Sequence, residues 1–151
     1  MRERLTQDLK EAMRAGDKRR ISTVRLIQAA LKDKDIEARG AGKGQTSDED
    51  ILALLQKMIK QRQESIAIYE QAGRQELAQQ EREEAEIIQS YLPKQMDEAE
   101  TAAAVDAAIA ETGAASMKDM GKVVGALRGR YAGRMDFSRA SALVKERLPK
   151  G

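Results

Sequence analysis

The sequence has no cysteine, no histidine and no tryptophan, with only two prolines and one phenylalanine. The missing cysteines exclude disulfides and thiol nucleophiles. With histidine missing too, Cys/His zinc sites and an imidazole general base are excluded. No apolar run approaches the ~20 residues that a membrane-spanning helix needs. The opening stretch, MRERLTQDLKEAM, lacks the apolar segment of a secretory signal. Together these absences lead us to expect a cytoplasmic protein with no membrane partner, no metal and no cofactor.

What the chain does contain is charge and helix formers. Charged residues make up 34% of it, and Ala, Glu, Lys, Arg, Leu and Gln dominate its composition. These residues favour helices, and β-branched runs bounded by turn residues are absent. The expected fold class is all-α. A chain of 151 residues can bury roughly two thirds of its unfolded surface as one ordinary domain or two small ones. The net charge is only +2, but residues 117–151 carry nine Lys/Arg against three acids, and residues 10–34 carry eight against three. Residues 92–116 carry one Lys against five acids. Such asymmetry suits an anionic partner, although helical surfaces are commonly rich in Lys and Arg.

Periodicity and breakers order the helices. The first is expected from Arg2 to Ala15, with Leu5, Leu9 and Met13 on its inner face and Gly16 as its stop. Asp17 caps a second helix reaching about Ala38, and Ile21, Val24, Leu26, Ile27 and Leu31 suggest that its centre is buried on several sides. GAGKGQ, from Gly40 to Gln45, is a loop without the spacing of a nucleotide-binding motif. Thr46 and Glu49 fit a capping box for a long helix ending near Gly73, with Ile51, Leu55, Met58, Ile66 and Tyr69 as its spine. A partner helix from Gln75 to Tyr91 carries EREEAE, whose carboxylates could serve as acid and base or bind a hard cation. On a lone helix they are expected to form a solvated face.

Pro93 disfavours helix just ahead of it, so LPKQM divides the chain. Residues 1–92 are expected to form an N-terminal helical hairpin or bundle, and residues 93–151 a small C-terminal domain of three helices. Asp97 with Glu100 starts the first of these, Ser116 caps the second and Asp136 the third.

The second carries MGKVVGALRGRYAGRMD, with glycine at 121, 125, 129 and 133. Each glycine inside a helix costs roughly 1 kcal/mol relative to alanine, and close approach of another backbone or of a ligand is the usual compensation. Gly121 and Gly125 lie beside the apolar stripe of Met117, Met120, Val124, Leu127 and Tyr131; Gly129 and Gly133 read as turn glycines. Two readings of the row stay open: close helix packing, or contact with a phosphate backbone. No nucleophile–base pair accompanies it, so no catalytic residue is assigned.

SYLPKQMDEAE, AIAETGAASMKDMGKVVGAL and the upstream LTQDLKEAMRAGDKRRISTVRLIQAALKDKDIE resemble the YqeY family over nearly the whole chain. That family shares its C-terminal module, the GatB/YqeY domain, with the tail of the aminoacyl-tRNA amidotransferase. The resemblance implies a helical N-terminal part and a C-terminal module that engages tRNA or a tRNA-charging assembly. Carried over by position, it implies RNA-facing Lys118, Lys122, Arg128, Arg130 and Arg134, with Gly121 and Gly125 permitting approach. Tyr131, at the end of the apolar stripe, suits core packing better than base stacking. The resemblance also implies an alternative, a component of a carbon–nitrogen ligase with glutamine as amido-N-donor. No amidase-like serine segment is visible to support stand-alone catalysis. A helical protein-interaction scaffold is the third reading.

Overall fold

Capping side chains and glycines set the helix ends. The computed structural model describes residues 1–148; Pro149, Lys150 and Gly151, the end of the expected C-terminal domain and of its basic stretch, lie outside the described residues. Among the described residues there are seven α-helices, one short 3-10 turn and no strand, so the chain is all-α.

The chain divides into two compact units, Met1–Pro93 and Lys94–Gly151. In the first, α1 (Arg2–Ala15) ends at Gly16 in the left-handed conformation, φ 68°. Asp17 then accepts from the Arg20 amide and starts α2 (Lys18–Gly40). α3 (Asp48–Gln71) and α4 (Gln75–Gln89) form a hairpin whose turn contains Gly73. Val24, Ile27, Leu55 and Ile88 close the centre of this unit, each fully buried. At roughly 1.5–3 kcal/mol per buried aliphatic side chain, such contacts supply the main force holding the helices together.

Four expectations change here. Ala12 is buried on α1, whereas Met13 is exposed. α2 buries one face only: Leu26 stands 44% exposed and Ile36 55%. The cap of α3 is Ser47, whose hydroxyl accepts from the Asp50 amide at 3.2 Å. Thr46 cannot take that role because its own amide is drawn to Asp35 Oδ1, at 3.0 Å, inside the fold. Finally, EREEAE is not a solvated face throughout. Glu84 is buried, with Arg62 Nε 3.2 Å from its carboxylate and Arg19 Nη1 3.9 Å away. Beside it, burial first and the Glu84 charge second hold the Glu81 carboxyl above the usual carboxylate range.

Asp35 ties α2 to two other segments. Arg2 donates to both of its oxygens at 2.8 Å, and Thr46 donates from its backbone. The Arg2 hydrogen bonds, then the Thr46 amide, hold the Asp35 carboxyl well below the usual range. A depressed folded-state pKa gives stability that is present above the unfolded value, about 4, and is lost as pH falls toward the folded one. Urea midpoints recorded from pH 5 to pH 2 should therefore fall less steeply for Asp35→Asn than for the parent protein. Tyr91 behaves oppositely. Burial, and then its hydrogen bond to Asp8, raise its phenol far above the usual tyrosine range. Its contribution is present below pH ~10 and fades as pH rises toward the folded value.

The second unit opens with Asp97 and Glu100, which cap each other's backbone and start α5 (Glu98–Thr112). Ser116 caps a 3-10 turn, Met117–Asp119, which leads into α6 (Met120–Tyr131). α7 (Phe137–Arg147) begins at Asp136, which accepts from the Ser138 and Arg139 amides. Val105 of α5, Val123 and Leu127 of α6, Met135 just ahead of α7 and Val144 of α7 form the centre of this unit. Val123 therefore takes the buried position expected of Val124.

Candidate nucleic-acid interface

α6 presents two unlike faces. Val123 and Leu127 point into the core, and at ~100° per residue the opposite side carries Gly121, Gly125 and Gly129. A Cβ placed at any of the three would meet nothing within 4 Å. Among the described residues no atom comes that close, so close helix packing does not account for Gly121 and Gly125. Gly129 is helical rather than a turn residue; only Gly133 has the positive φ, 78°, that a turn requires. The result is a groove of bare backbone in solvent. Lys122 borders it on one side and Arg128 on the other, both exposed, with Lys118 in the turn just before.

The other candidate cations are engaged. Arg130 forms an ion pair with Glu111 of α5. That hydrogen bond is the main cause that holds the Glu111 carboxyl below the usual range and raises the Arg130 guanidinium. Arg134 donates from Nε to the Lys94 carbonyl at 3.3 Å and lies 6.0 Å from the Tyr131 ring centroid. Arg139 and Arg147 pair with Glu98 and Asp106 of α5. The acidic and basic stretches of the sequence thus partly neutralise each other inside this unit. Lys118 and Lys122 keep no ion pair with a described residue. Arg128 is exposed, with its guanidinium 5.7 Å from the Phe137 ring centroid.

Asp119 orders the approach to α6. It accepts from the Ala115 amide at 2.9 Å. That bond comes first, then one from Ser116 and the nearby Lys122 and Lys118 charges, in holding its carboxyl low. Tyr131 packs against the core, as expected from its place on the apolar stripe.

Ser47 and Ser116 cap helices, while Ser22, Ser65 and Ser90 donate to carbonyls one turn back on their own helices. Among the described residues, no group of three or more acids could hold a metal ion, and no helix is long and apolar enough to cross a membrane. Sequence reasoning missed the pairing of the basic stretch with α5, because its ion pairs join residues far apart in the chain. It also missed the buried Glu84, whose signal was a single acid on the inward side of an otherwise polar helix.

The chain is similar to proteins named "Altered inheritance of mitochondria protein 41, mitochondrial". The match in Eremothecium gossypii is 38% identical over 88 residues, covering 58% of this chain and 46% of the relative. The one in Pyrenophora tritici-repentis is 36% identical over the same length with the same coverage. The one in Clavispora lusitaniae is 35% identical over 97 residues, 62% of this chain and 54% of the relative. The chain thus spans about half the length of the curated relatives it matches. The expectation of a cytoplasmic protein is overturned by these names, which are of mitochondrial proteins. The family model described as Yqey-like protein matches residues 2–148, and with essentially the whole chain inside that match the protein belongs to the YqeY family.

Proposed function

We propose that this protein is a non-catalytic accessory protein that binds tRNA, or a tRNA-charging assembly, along the outer face of α6. The observation that carries the reading is the open space over Gly121, Gly125 and Gly129 between Lys122 and Arg128. Three glycines on one exposed helical face cost stability that no packing partner returns, which suits a surface shaped for the close approach of a phosphate backbone. With no tryptophan and one phenylalanine, stacking on unpaired bases has little to work with. Binding is then directed to the backbone and falls steeply with salt.

Three cations, Lys118, Lys122 and Arg128, remain for phosphates once Arg130 and Arg134 are committed elsewhere. Neutralising three phosphates gives a slope of log affinity against log salt near −2 to −3. Titration of labelled tRNA over a range of salt should return that slope. Lys118→Ala/Lys122→Ala/Arg128→Ala should abolish most of the salt dependence, while Arg139→Ala leaves it unchanged. An absence of binding at low salt would remove the proposal.

A further inference from the structure

α2 carries apolar residues on both sides. Its inner side holds Val24, Ile27 and Leu31; diametrically opposite stand Ser22, Leu26, Ala29, Asp33, Ile36 and Gly40, spaced alternately four and three residues apart. In a heptad frame these are the a and d positions, the seam that faces a partner helix, and Leu26, Ala29 and Ile36 are the apolar ones among them. Leu26 and Ile36 on this seam are 44% and 55% exposed. Flanking the seam stand Lys18, Arg25, Lys32 and Arg39, one per seven residues. All four are exposed, and none forms an ion pair with a described residue. With Leu26 at a and Ala29 at d they occupy successive g positions, the places from which coiled coils choose partners by charge. At 1.5 Å rise per residue, seven residues set neighbouring cations ~10.5 Å apart along the helix. The N-terminal half of the seam borders a shallow trough of about 720 Å³ between α2 and α4, lined by Lys18, Arg25, Leu26 and Gln80 among others.

We infer that the outer face of α2 is a docking surface for an acidic amphipathic helix of a partner protein, its apolar edge on Leu26, Ala29 and Ile36 and its carboxylates along the Lys18–Arg25–Lys32–Arg39 row. A partner helix meets both features at once. Its leucines remove Leu26 and Ile36 from water, and one acid per heptad matches the period of the cations. A phosphate backbone would satisfy the cations and leave the apolar seam against charge. A bilayer would gain only two large apolar side chains.

The test uses the full chain and a labelled four-heptad peptide with Leu at a and d and Glu at e and g. Its own repulsion between Glu side chains keeps the peptide from pairing with itself. Anisotropy at low salt should show binding at least ~10-fold tighter than for the same peptide with Lys at e and g, since like charges set against each other are strongly unfavourable. The variant Arg25→Glu/Lys32→Glu should reverse that preference. Leu26→Ser/Ile36→Ser should weaken the Glu peptide ~10-fold while leaving the thermal midpoint within a few degrees, because both side chains lie outside the core. Equal binding of the two peptides, or no binding of either, overturns the inference. So does retention of the Glu peptide by Arg25→Glu/Lys32→Glu alongside loss of binding to tRNA or to phosphatidylserine vesicles, which would assign the row to one of those surfaces.

Discussion

The variant Gly121→Ala/Gly125→Ala/Gly129→Ala is expected to be more stable than the parent and worse at holding RNA. Alanine gains about 1 kcal/mol over glycine in a helix interior, partly by restricting the unfolded chain. All three positions are helical, and a Cβ at each would meet no atom within 4 Å. The three together should add about 2–3 kcal/mol, with Gly129 contributing least because it lies in the last turn of α6. For a domain of this size ~1 kcal/mol moves the melting point by ~4–8 °C, so calorimetry should find the transition of the second unit raised by ~10 °C or more. Three methyl groups would at the same time fill the groove between Lys122 and Arg128 and push a phosphate backbone outward. Stability up with tRNA affinity down is the combination required. Stability up with affinity unchanged would leave the cations in place but dismiss the groove.

The second large effect lies in the α3–α4 hairpin. Arg62 and Glu84 are both nearly buried, with side chains 13% and 9% exposed, and their charges stand 3.2 Å apart. The Arg62 Nε has no hydrogen-bond acceptor of its own, so this contact is coulombic, while Nη1 donates to the Met58 carbonyl. Arg62→Met removes the nearest cation from a carboxylate that is only 9% exposed. Breaking a buried pair from one side costs about 3–5 kcal/mol, and urea denaturation of the single variant should show a loss in that range. The double replacement Arg62→Met/Glu84→Met removes both charges together and should return to within about 1 kcal/mol of the parent. If the single variant loses less than ~1 kcal/mol, Arg19, 3.9 Å from Glu84, is a sufficient counter-ion and the pair is not what holds the hairpin.

The helices and most of their ends could be read from the sequence, because the signals that set them are local. Gly16, Asp17, Gly73, Asp97 with Glu100 and Asp136 all stop or start helices within one turn of where they stand. The cap of α3 slipped by one residue for a reason no local rule contains: Asp35, eleven positions upstream, claims the Thr46 amide. The surface was harder to read for the same reason. Counting charge made Arg130 and Arg134 equivalent to Lys122. Their partners, Glu111 and the Lys94 carbonyl, are brought to them by the packing of α5 and the approach to it. Glycines pose the same difficulty. A run of them on a helix reads identically whether a neighbour presses against it or open solvent does, and only coordinates distinguish the two.

Each of the two units closes an apolar interior of its own, one around Leu55 and Ile88, the other around Val123 and Val144. A segment that completes its own interior can be inherited as a cassette: one peptide bond joins it to a new host, and neither side has to be redesigned. The stretch from Lys94 onward has that autonomy: its interior would stay closed whatever polypeptide preceded it.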